Sequence, residues 1–122
     1  MKATKEQIAA WKNAYGEVYQ IIVFENKPLP LPEELLKEGH KQPTATDEII
    51  PRTGYFKAPS LEVIAAVQRH IQSDPVRAQS EAFTGCWIDG DARLVNDPAL
   101  MLSAAMKIMP LIKMYDGEIK KL

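Results

Sequence analysis

The chain has 122 residues, a net charge of −1, 25% charged residues and 46% apolar ones. That length suits a single domain, expected to run over residues 1–122, with about two-thirds of its surface buried around one core. The near-neutral balance removes the electrostatic case for nucleic acid or an anionic membrane, the lone Cys86 removes an internal disulfide, and no apolar run reaches the roughly 18 residues of a membrane span.

The single cysteine fits a reducing compartment. The opening Met1-Lys2-Ala3-Thr4-Lys5-Glu6-Gln7 lacks an apolar signal region. The cytoplasm is therefore the expected location.

Thr4 with Gln7 has the spacing of a capping box, and Ile8, Trp11 and Tyr15 then share one helical face up to Gly16. Residues 17–25 hold Val18, Tyr19, Ile21, Ile22, Val23 and Phe24 and read as a strand. Tyr55-Phe56, within residues 54–57, is the expected antiparallel partner. Between them, residues 26–53 form a long Pro-rich insertion with Pro28, Pro30, Pro32, Pro43 and Pro51. One or two helical turns are expected from Pro32 to a stop at Gly39. The insertion is read either as a tolerated surface loop or as a functional one.

Ser60 starts a second helix with Leu61, Ile64, Val67 and Ile71 as its expected buried stripe. Asp74-Pro75 starts a third, with Val76 and Phe83 facing inward, ending near Cys86-Trp87. Trp87 is expected in the core. Asp97-Pro98 starts the last helix. There Leu100, Met101, Ala104, Ala105, Ile108, Leu111, Ile112 and Tyr115 share one arc, widened by Leu102, Met106 and Met109. An arc that wide exceeds the single stripe of a surface helix, and Pro110 should kink or break it. Methionine suits surfaces that take varied apolar partners. Met101, Met106, Met109 and Met114 are therefore read as core filler or partner contacts, and Leu102, Met106 and Met109 are the candidate partner-binding residues.

The remaining chemistry is sparse. Asp89-Gly90-Asp91 lacks the further ligands of a calcium loop and reads as a tight turn. Cys86 has no base spaced to activate it, and His40 and His70 make no metal motif with it. No phosphate loop is present. No catalytic residue, metal, cofactor or small-molecule substrate is expected. The expected fold is α+β: an N-terminal helix, a two-stranded antiparallel hairpin carrying the insertion, and a bundle of three or more helices.

The segments Lys2-Ala3-Thr4-Lys5-Glu6-Gln7-Ile8, Trp11-Lys12 and Tyr15-Gly16-Glu17-Val18-Tyr19 resemble a group of small phage and prophage proteins. So do Tyr55-Phe56-Lys57-Ala58-Pro59-Ser60-Leu61 and Asp74-Pro75. Gly85-Cys86-Trp87-Ile88-Asp89-Gly90-Asp91 is similar to that group's Asn-Cys-Trp-Leu-Gly-Gly-Asp signature. The resemblance covers residues 2–25 and 54–105. It departs at the insertion, where the group usually has a tight hairpin, and from Lys107 to Leu122, where this chain extends beyond the usual length. It implies a tail assembly chaperone, which holds a hydrophobic tape-measure protein until the tail tube forms. A non-enzymatic protein that binds another protein is the expected function. The alternatives are a dimerising structural or regulatory adaptor, and a small enzyme with a site built from the insertion.

Overall fold

The computed structural model describes residues 2–112 and 116–122. Thr4 opens helix α1 (Lys5–Tyr15) by the reciprocal capping its spacing predicts. Its hydroxyl accepts from the Gln7 N–H at 3.1 Å, and the Gln7 side chain accepts from the Thr4 N–H at 2.9 Å. Gly16 ends the helix at φ 84°, a conformation open to glycine.

Strand β1 (Val18–Glu25) pairs antiparallel with β2 (Ile50–Lys57), from Val18 opposite Lys57 to Glu25 opposite Ile50. The expected pairing across the insertion is present, but β2 begins at Ile50 and not at Gly54. Pro51 is accommodated because the next strand reaches only Gly54–Phe56, leaving one side of Pro51 free for its missing N–H. The short helix α2 (Glu33–Lys37) lies in the intervening loop, close to where the Pro and Gly punctuation predicts it.

The expected two-stranded hairpin is corrected to a three-stranded antiparallel sheet in the order β1-β2-β3. Strand β3 (Trp87–Gly90) follows directly on a helix, and its four residues are too few to display an alternation. Asp89-Gly90-Asp91 is therefore not a free-standing turn. Asp89 and Gly90 end the strand, and Asp91 caps the next helix. Gly54 and Gly90 face each other across the ladder. A Cβ on either would stand 3.0 Å from the Trp87 ring, so bare backbone at both positions lets that ring lie across the strands.

Four further helices follow among the described residues: α3 (Leu61–His70), α4 (Pro75–Cys86), the short α5 (Ala92–Asn96) and α6 (Pro98–Ile108). Ser60, Asp74, Asp91 and Asp97 cap them in turn, each accepting a backbone N–H. α6 stops at Ile108 and tightens into a 3₁₀ turn (Met109–Leu111), the break expected at Pro110. Met114 and Tyr115, which the periodicity placed on this helix, lie outside the described residues.

α3 packs on α4, α4 on α6, and α6 on β1. On the sheet, Phe56 points into this layer, 5.4 Å from the Phe83 ring and 5.5 Å from the Trp87 ring. Its neighbour Tyr55 points the other way, 5.3 Å from Trp11 of α1. Trp87 joins the core at its edge, half-buried. Ala78, Ala82, Ala104 and Ala105 are buried, and their small side chains let α4 and α6 approach closely.

Two helix faces differ from expectation. Leu61, Ile71 and Val76 are exposed. α3 meets chiefly one neighbour, α4, and only Val63 and Val67 reach the core between them. Val76, in the first turn of α4, lies short of that contact. The wide arc of α6 is used mainly within the fold. Leu100, Ala104, Ala105 and Ile108 are buried, and Met101, Met109 and Ile112 pack against the core, because α6 touches both α4 and β1.

Candidate protein-binding groove

β1 has β2 on one side and no strand on the other among the described residues. Ile21 and Val23 are buried beneath it, while Ile22 and Phe24 on its opposite face remain 41% and 45% exposed. At its end the chain turns at Asn26, φ 70°, and the Lys27 N–H donates to the Phe24 carbonyl. The Asn26 side chain donates to the Glu48 carbonyl, which closes the neck of the insertion. The Gln42 side chain donates to the Leu29 carbonyl and accepts from the Leu31 N–H, so the Pro-rich leg is tied to the returning one.

This leg stands beside β1 and across from α6. The space enclosed, about 210 Å³, is lined by Phe24, Lys27, Leu29, Met106 and Lys107 among others. A second hollow of about 320 Å³ continues it past Tyr19 and Gln20 to Leu111. The two share Ile22 and Lys107, so they form one groove along the outer edge of β1. Among the described residues, Lys27 and Lys107 are the charged side chains that line it.

Of the three candidates from sequence, Met106 alone reaches this groove, half exposed. Met109 packs against the core, and Leu102 is half-buried without lining the groove. Ile22, Phe24 and Leu29 were missed as contacts. For Ile22 and Phe24 the signal was present in the run Ile21-Ile22-Val23-Phe24, which is apolar on both faces of a strand and so calls for a cover on each.

The fold has a likeness among solved structures. It is similar to the structure of an uncharacterised protein from Bacillus stearothermophilus, with a TM-score of 0.51 and 18% identity over 93% of this chain and 99% of that one. At that identity the likeness shows a shared fold. No protein-family model matches the chain, and no curated protein matches it.

One end of the groove's strand is braced by charge. Glu25 accepts from Arg93 at 2.8 Å and from Arg52 at 3.2 Å, and Arg52 also reaches Asp91 at 3.3 Å. Arg93 and then Arg52 hold the Glu25 carboxyl below its ordinary value. The backbone N–H of Arg93, and then Arg52, do the same for Asp91. The brace joins β1, β2 and the start of α5.

The groups weighed for catalysis are dispersed. Cys86 is fully buried, and burial pushes its thiol up to about 11. His40 lies exposed in the insertion beside Glu38, and His70 ends α3. Among the described residues no three His, Cys, Asp or Glu side chains are placed to hold a metal ion. No helix of the described residues is long and apolar enough to cross a membrane.

Proposed function

We propose that the protein binds an extended apolar segment of another protein along the outer edge of β1 and performs no reaction on it. The observation that carries this is the groove itself. An unpaired strand edge offers backbone hydrogen bonds, and Ile22, Phe24, Leu29 and Met106 beside it offer apolar cover. An added strand uses both, taking affinity from the main chain and selectivity from alternate side chains. The resemblance to phage tail assembly chaperones supplies the class of client, a hydrophobic tape-measure protein held before assembly. The cytoplasm is the proposed location, in keeping with the single reduced Cys86.

The test is fluorescence anisotropy with a labelled ten-residue peptide of alternating Val and Thr. Phe24→Lys and Met106→Lys are expected to weaken binding at least tenfold while leaving the unfolding midpoint nearly unchanged. Met109→Lys is expected to lower the midpoint instead, because that side chain packs against the core. Binding that is unaffected by both groove substitutions overturns the proposal.

A further inference from the structure

Residues 116–122 read Asp116-Gly117-Glu118-Ile119-Lys120-Lys121-Leu122 and are all exposed. Ile119 and Leu122 are 101% and 108% exposed, and a Cβ on Gly117 would meet nothing. None of the described residues of the same subunit covers these two apolar side chains. We propose that this segment is itself a ligand of the groove: the tail of one copy adds as a strand to β1 of another, and the exchange is reciprocal. The proposal rests on the groove being a peptide site.

The match is one of charge and alternation. In a strand, successive side chains take opposite faces. Glu118 set against Lys107, on the α6 side, turns Ile119 onto the outer face, over the exposed Ile22 and Phe24. Asp116, Lys120 and Leu122 share the face of Glu118, so that face carries two acidic groups at its start and one basic group after them. If the tail runs antiparallel to β1, Asp116 lies toward Lys27 and Leu122 toward Leu111, at the two ends of the groove. The reverse direction sends Leu122 toward Lys27 and loses both matches.

Direction also selects a second copy over the chain's own tail. α6 begins beside the Lys27 end of β1, where Ala99 and Leu100 lie, and ends with Leu111 beside Tyr19. The tail therefore leaves at the Tyr19 end. The step from Ile112 to Asp116 spans at most about 14 Å of chain. Six strand residues, from Tyr19 to Phe24, extend about 17 Å. The own tail can enter only from the Tyr19 end and would run in the mismatched direction, whereas the tail of another copy has free choice. A reciprocal exchange closes as a two-fold dimer.

The test is light scattering after size exclusion on the full chain and on a chain lacking residues 116–122. The full chain is expected to be dimeric, and the shortened chain monomeric. Glu118→Lys and Lys107→Glu should each weaken the dimer at least tenfold, and the two together should restore it. A monomeric full chain, or a dimer that survives the truncation, overturns the proposal. The alternating Val/Thr peptide separates the two ideas. A full chain that is monomeric yet binds the peptide ends the tail exchange and leaves the client groove standing. Loss of the dimer on truncation, with no peptide binding by either form, supports the exchange and ends the client reading alone.

Discussion

Val63 of α3 rests on the bare backbone of Gly85 in α4: a Cβ placed on Gly85 would stand 2.4 Å from Val63 Cγ2 and 3.3 Å from Val63 Cβ. In an exposed helix, replacing glycine with alanine stabilises by about 1 kcal/mol. Here the added methyl meets a stiff β-branched side chain close to its root, so turning χ1 relieves only part of the clash. Overpacking of this kind costs about 1–3 kcal/mol. Gly85→Ala is therefore expected to be destabilising, and Val63→Ala in the same chain should recover part of the loss. Urea midpoints of the single and double variants check this. A stabilised Gly85→Ala would show that the two helices are free to separate.

Trp87 stacks on Phe83, with 5.4 Å between centroids and 22° between planes, and stands edge-on to Phe56. Its six-membered ring lies close to Gly54 and Gly90, 3.0 Å from where a Cβ on either would stand. Removing the ring opens the junction of sheet and α4, where neither glycine has a side chain to fill it. Trp87→Ala is expected to cost about 3–5 kcal/mol. A loss below about 1 kcal/mol in chemical unfolding would contradict the packing role.

The brace at Glu25 predicts a pH dependence. Glu25 and Asp91 are held below ordinary values of 4.5 and 3.8. The folded protein thus takes up these protons less readily than the unfolded chain. The stabilisation is complete above about pH 5 and is lost as pH falls through the depressed folded values. Glu25→Gln should be less stable than the parent protein near neutrality, and the gap should close in acid. Thermal midpoints measured from pH 7 down to about pH 3 report this. A constant gap would mean that the charge on Glu25 contributes nothing to stability.

The local punctuation of this fold is legible in its sequence, because a capping residue acts on N–H groups two or three positions away. Thr4, Ser60, Asp74 and Asp97 all cap where their neighbours imply. What escapes is set by partners distant in the chain. β3 has too few residues to announce itself and exists because β2 offers it an edge. The brace joins Glu25, Arg52, Asp91 and Arg93 from three elements. The breadth of apolar surface on α6 was visible, but its cause was not: the helix packs against α4, α5 and β1, and of its three candidate contacts only Met106 reaches the groove. The candidate surface was instead written in β1, whose apolar residues on both faces ask for a cover that α1 supplies only near Tyr55.

The insertion gives a sharper expectation for proteolysis than its composition does. Its prolines alone would leave residues 26–53 open throughout. In the fold, Arg52 lies within β2, paired opposite Val23 and held by Glu25 and Asp91. Lys27 is followed by Pro28, a bond that trypsin does not cut. The remaining trypsin sites in the segment are Lys37 and Lys41, both exposed, at the end of α2 and beyond it. A five-residue helix with one exposed ion pair, Glu33 to Lys37, has little to resist local opening. Limited trypsin digestion is expected to cleave after Lys37 or Lys41 well before Arg52, leaving two fragments that remain associated through the β1–β2 pairing. Early cleavage at Arg52 would show that β2 frays back to Gly54 and that the brace does not hold. Protection of Lys37 and Lys41 in the unliganded protein would place the insertion against the body of the domain.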